Sequence, residues 1–288
     1  FRSQFIIGGG WDQSLWANDS MPDNKKLSAV FKHIPVCLYR IDGHAALVND
    51  YLMNQAKLTN RPIDGGEVCE KNGVPTGLLI DNAIQLVSAK LPSYSSSQIK
   101  SAILDIQEEL FQYGITGVHE AGIDFQHIQL FESMIKKKQL KLEVYAMLLN
   151  SPKNKAFAKK HGPYRYKNLS IRSFKVFADG ALGSRGALLK KPYEDDPHHQ
   201  GLLLTPIDEM KKMAQFCLRY GYQLNTHGIG DSANALILDV YKPAFQRNPD
   251  HRFRIEHAQV IDPIDFSKFA EYAVFPSIQP THATSDMY

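Results

Sequence analysis

Strand-length apolar runs alternate with amphipathic helical stretches from about residue 115 onward, and this rhythm limits the fold more than any other feature of the chain. The pattern predicts strands over 115–119, 140–149, 171–178, 222–227, 253–257 and 274–279. Helices are predicted over 125–138, 153–160, 207–219, 232–245 and 263–272, with a long loop over 180–204. Helix-length linkers between successive strands call for parallel pairing. Right-handed crossovers curl such a series toward an α/β barrel of the (β/α)8 TIM type, in which six strands are two short of closure. Ahead of them, Ser95 opens a helix carrying Ile99, Ile103, Ile106 and Leu110 at helical spacing, and Gly114 ends it.

Residues 1–95 are irregular by comparison and stand apart from 96–288. They hold Gly8-Gly9-Gly10, an apolar run over 35–40, the turn Asp42-Gly43-His44, a predicted helix over 45–58 and a polar loop around Gly65-Gly66. The three glycines lack the strand, GxGxxG spacing and helix of a nucleotide-binding turn.

Composition narrows the partners. Hydrophobic residues make up 43% and charged residues 22%, ordinary for a globular protein. A formal charge of +3 with no basic stripe among aromatics speaks against nucleic acid. No apolar stretch approaches the roughly 20 residues that span a bilayer, so no membrane partner is expected. A small-molecule substrate is left, and an open sheet edge would invite a homo-oligomer. The three cysteines, Cys37, Cys69 and Cys217, show no CxxC spacing and are no disulfide framework. They favour a reducing, cytoplasmic setting, although the chain starts at Phe1 without Met or signal segment and stops at Tyr288 in mid-pattern. We expect an interior portion of a longer polypeptide.

Three residues sit near or at the C-terminal ends of predicted strands: Lys175, His227 and His257. In a parallel barrel such side chains converge on the reactive face. The two histidines are 30 residues apart, one βα unit, and so fall on adjacent strands where they could share a metal. Alternatively each caps its strand by hydrogen bonding. Two on consecutive strands, beside Glu256 and Gly228-Ile229-Gly230-Asp231, favour the metal. Lys175 either pairs with Asp179 or Glu120, or loses its charge on burial and takes up carbon dioxide as a metal-bridging carbamate. A Schiff-base lysine is a third reading.

Around these lie residues placed to meet substrate. His119 and Glu120 end the first predicted strand and are expected to face substrate or back up the ligands. Trp11 and Asp12 line the same cleft, or the tryptophan merely packs on backbone. His44 contacts substrate or only caps a helix. Arg185 clamps a carboxylate or carbonyl, or is a solvated loop charge. His282, just past the last strand, contacts substrate or lies at the surface. Asp231 reads as a helix N-cap.

Four segments together resemble the YtcJ-like amidohydrolases: Lys175-Val-Phe-Ala-Asp-Gly-Ala-Leu-Gly-Ser-Arg-Gly186, Asn225-Thr-His-Gly-Ile-Gly-Asp231, Arg254-Ile-Glu-His-Ala-Gln259 and Ser277-Ile-Gln-Pro-Thr-His-Ala-Thr-Ser-Asp286. Gly10-Trp-Asp-Gln13, Arg40-Ile-Asp-Gly-His-Ala45, Thr76-Gly-Leu-Leu79 and Gly114-Ile-Thr-Gly-Val-His-Glu-Ala-Gly122 are similar in the same order. This branch includes N-substituted formamide deformylases and exoenzyme-regulatory proteins. The resemblance implies a metal-dependent hydrolase of a non-peptide C–N bond, amide or formamide in type, that works through a metal-activated hydroxide. It implies one or two divalent ions, zinc first, with Lys175 as the carbamylated bridge and His227 and His257 as ligands. It also implies that the chain carries barrel strands 2–7, with 1–95 inserted between strands 1 and 2 over the barrel mouth. The family's His-x-His and general-base aspartate have no counterpart here, so this portion alone is expected to be inactive. A non-catalytic binding or regulatory relative on the same barrel is the alternative.

Overall fold

The computed structural model describes residues 5–285 apart from 19 and 60; Phe1, Asp286 and Tyr288 lie outside the described residues. Two sheets organise it. The first has the order β1-β2-β3-β5-β4, from β1 (Ile6–Trp11), β2 (Val36–Arg40), β3 (Ala45–Val48), β4 (Gly66–Lys71) and β5 (Val74–Asp81). β1 runs parallel to β2, and the other pairs are antiparallel. The described residues up to 95 are therefore not irregular. Asn72 and Gly73, both at positive φ, turn β4 into β5, the backbone shape that an Asn-Gly hairpin adopts.

The helix expected over 45–58 is corrected to β3 followed by a shorter helix, Asp50–Ala56. Ala45–Val48 is buried along its whole length, which suits a central strand, and such a run has no face to reveal its period. Asn49 divides the two: its Oδ1 accepts from the Leu52 amide as a helix N-cap and from the Val36 amide across the sheet.

The second sheet follows β6 (Gly117–Ile123), β7 (Glu143–Leu149), β8 (Tyr164–Tyr166), β9 (Leu169–Phe177), β10 (Gln223–Gly228), β11 (Arg254–His257) and β12 (Phe275–Ser277). Its order is β12-β11-β10-β9-β7-β6, six strands all parallel, with β8 antiparallel beside β9. Helices Phe125–Lys136, Pro152–His161, Ile207–Tyr220 and Asp231–Arg247 join them. Their apolar faces meet Ile171, Phe174, Leu224 and Ile255 in one large core. Cys217 lies fully buried there, and all three cysteines are free.

Parallel register puts Leu149, Lys175, Asn225 and Arg254 in one cross-strand row, so their side chains share the face of the sheet away from that core. Among the described residues no helix is long and apolar enough to cross a membrane.

Candidate active site

Lys175, His227 and His257 line one cavity of about 890 Å³ at the C-terminal ends of β9, β10 and β11. Arg40 of β2, with Asp12 and Gln13 after β1 and His44 before β3, forms part of its wall, and the loop after β9 adds Leu182 and Arg185. Four imidazoles run along it. Ring centroids are 4.9 Å apart for His44 and His227, 4.6 Å for His227 and His257, and 5.7 Å for His257 and His282.

Lys175 is 3% exposed. Among the described residues its Nζ has no hydrogen-bond or ion-pair partner, and it lies 4.7 Å from the centroid of the Phe177 ring. Burial lowers its pKa to about 8, with Arg254 helping and Glu256 and Asp179 opposing. It pairs with neither of the acids suggested for it. Asp179 is buried and accepts from the amides of Leu188, Ile229 and Gly230, tying the ends of β9 and β10 together. Glu120 does not line the cavity.

The two histidines are held through opposite nitrogens. His227 Nε2 is 3.1 Å from the Gly180 carbonyl, and His257 Nδ1 is 2.9 Å from Gln279 Oε1. Each oxygen only accepts, so each of those nitrogens donates, and Nδ1 of His227 and Nε2 of His257 keep free lone pairs. Burial, then the Lys175 charge, holds both imidazoles neutral: His227 well below its usual range and His257 at about 4. Neutral rings oriented by an outer hydrogen bond are the ligand form of histidine. His257 and Ala258 both sit at positive φ, strain concentrated at the end of β11.

Among the described residues no three His, Cys, Asp or Glu side chains are placed to hold a metal ion. The donors at the strand ends reach three only if Lys175 counts. A carbamylated lysine would count, because it presents a carboxylate beside two nitrogen donors, a mixture that suits zinc. The residues fit the ion on that condition.

The other predicted residues divide. Asp12, His44, Arg185 and His282 line the cavity. Asp12 is occupied by Arg40 at 2.7 Å, and the Arg185 guanidinium is forked onto Asp195. Trp11 packs against Trp16 and donates from Nε1 to the Leu38 carbonyl, which is its packing role rather than a cleft role.

His119 is a correction. β6 begins at 117 and runs on to Ile123, so His119 lies in its first half. There it stacks on Tyr145 and bonds Arg254 in a separate cavity near the strand starts. Glu120 points to the opposite face of β6, near His127. Sequence reasoning missed Asp81, whose Oδ1 lies 2.6 Å from His44 Nδ1. Burial opposes charge on His44, but the bond and charge of Asp81 outweigh it and raise the imidazole's pKa.

The parallel βα sheet thus brings a buried lysine and two neutral imidazoles together at the ends of consecutive strands. The amidohydrolase family profile matches residues 2–288, and the chain belongs to that family. It is similar to Protein LONG AFTER FAR-RED 3 of Arabidopsis thaliana, 30% identical over 99% of this chain and 52% of that protein. It is also similar to the putative amidohydrolase YtcJ of Bacillus subtilis (strain 168), 28% identical over 99% of this chain and 55% of the relative. An uncharacterized metal-dependent hydrolase from Pyrococcus furiosus superposes with a TM-score of 0.68 at 27% identity, over 98% of this chain and 57% of its own. The chain thus spans about half the length of the relatives it matches.

Proposed function

We propose that the protein containing this chain is a metal-dependent hydrolase that cleaves a non-peptide C–N bond of amide or formamide type. The six parallel strands are strands 2–7 of a (β/α)8 barrel, with residues 1–95 inserted as a subdomain at its mouth. The observation that carries this is the convergence of a buried lysine amine, without a hydrogen-bond or ion-pair partner among the described residues, and two pre-oriented neutral imidazoles in one cavity. Lys175 as its carbamate, His227 through Nδ1 and His257 through Nε2 would hold the divalent ion, zinc by donor type. Such an ion, when bound, supplies Lewis acidity and lowers the pKa of water.

The chain's own side chains do the rest. Gly180 and Gln279 keep the two rings in the ligand tautomer. Phe177 and the walls of the cavity shield Lys175 from water, which keeps its amine available. Asp12, His44, Arg185 and His282 surround the space left for substrate, and His119 and Glu120 take no part. Arg185 already holds Asp195, so an anionic substrate group would have to compete with that carboxylate.

The full-length protein tests this. Metal content should rise when bicarbonate and zinc are supplied together. Lys175→Ala, His227→Asn and His257→Asn should each lose both metal and hydrolysis across a panel of amides, formamides, cyclic hydantoins and esters. A protein that holds no metal, and whose activity ignores both histidines, would sink the reading.

A further inference from the structure

Asp81 closes β5 with φ +49° and ψ −121°, a conformation that a residue with a side chain rarely adopts. Its side chain is 1% exposed. Oδ1 meets His44 Nδ1, while Oδ2 is buried without a partner among the described residues. The loop that follows Lys175 makes room for it: a Cβ on either Gly180 or Gly186 would stand 2.2 Å from Oδ2. Backbone strain, burial and two glycines of the loop after β9 thus all serve one carboxylate, the one that fixes the His44 ring. With Nδ1 taken by Asp81, only Nε2 is left to His44, and it has no partner among the described residues. The ring lines the cavity, 4.9 Å from that of His227.

We propose that His44 binds the substrate through Nε2 beside His227, and that Asp81 is the positioning residue that holds it there. The five-stranded sheet then supplies part of the active site itself. This rests on the reading above that the cavity takes an amide-type substrate. An uncharged amide suits the site because it offers both a donor and an acceptor to a single ring nitrogen.

The test uses full-length, zinc-loaded protein with N-methylformamide as probe. His44→Phe and Asp81→Ala should each raise KM about tenfold, the upper end of what one hydrogen bond is worth, with metal content unchanged. The double variant should be no worse than either single one, because the two residues act as a unit. Asp81→Asn keeps an acceptor oxygen and should restore KM to within about threefold of the wild type. Additive losses, or an Asp81→Ala protein with wild-type KM, would overturn the proposal while leaving the hydrolase reading intact.

A second readout needs no turnover. In 15N-histidine spectra, N-methylformamide should shift Nε2 of His44 in the wild type and leave it unmoved in Asp81→Ala. If the protein proves inactive, a shift at Nε2 still upholds the His44–Asp81 pair, and no shift overturns it. Should Asp81→Ala fail to fold, His44→Phe and the wild-type spectrum decide.

Discussion

Gln279 offers the sharpest test of how this cavity would hold a metal. Its Oε1 accepts from His257 Nδ1 at 2.9 Å, the one hydrogen bond of that ring among the described residues. The substitution Gln279→Leu removes the bond and leaves the ring free to turn. A neutral hydrogen bond of this kind is worth about 1 kcal/mol, or about fivefold in an equilibrium constant. Loss of ring orientation adds to it, since outer-shell partners of metal-binding histidines typically account for about 10–100-fold in affinity. We therefore expect the full-length Gln279→Leu protein to bind zinc about 10–100-fold more weakly in chelator competition. Its Tm should move by no more than roughly 4 °C, since about 1 kcal/mol is at stake. Gln279→Glu should act in the opposite sense, because a carboxylate strengthens the bond and makes the ring more basic than its present pKa of about 4. His227 serves as internal control, since its own bond goes to a backbone carbonyl that no side-chain change removes. Zinc affinity unchanged in Gln279→Leu but lost in His257→Asn would refute the orienting role.

Two further expectations concern stability. Asp265 is 1% exposed and takes Lys190 Nζ at 2.9 Å and Lys268 Nζ at 2.7 Å. Burial pushes its pKa up, but the two ammonium groups win and lower it. A lowered carboxylate stabilises the fold above its unfolded value of about 3.9, and that contribution is lost as pH falls through the folded value. Asp265→Asn should therefore cost about 2 kcal/mol at pH 7 in urea unfolding, and the cost should vanish in strong acid; an equal cost at both ends would contradict the ion-pair account. Gly77 sits at φ +83° inside β5, where a Cβ would stand 2.4 Å from the Val48 carbonyl and 2.5 Å from Asn24 Nδ2. Gly77→Ala should cost about 3 kcal/mol or more by the same assay, and a neutral result would mean that this part of β5 is not tightly packed.

What could be seen in the sequence follows from how far each signal reaches along the chain. The parallel strands were legible because each is a short apolar run between helical stretches, and Lys175, His227 and His257 were legible because they stand at or near the ends of such runs. Ala45–Val48 was not, since a segment buried on both faces carries no period to distinguish strand from helix. The β4–β5 hairpin did leave a local signal, Asn72-Gly73 between strand-forming residues, and this went unused. His119 was misplaced by a boundary error: the strand was taken to end where it has barely begun, which moves a side chain from one end of the sheet to the other.

Asp81 is a different case. Its importance lies in a bond to a residue 37 positions away and in two glycines about 100 positions further on, none of which leaves any mark near Leu79-Ile80-Asp81 itself. Seen alone, Gly180 and Gly186 read as loop glycines; only in three dimensions do they become the space that a buried carboxylate of the other sheet requires. It follows that the first sheet and the Lys175 loop are shaped to each other, and that a substitution in either should be felt at His44. Gly186→Ala tests this from the side that touches no imidazole: it should weaken probe binding at His44 as Asp81→Ala does, without altering the His257–Gln279 bond, and a variant with wild-type His44 spectra would show that the two parts merely abut.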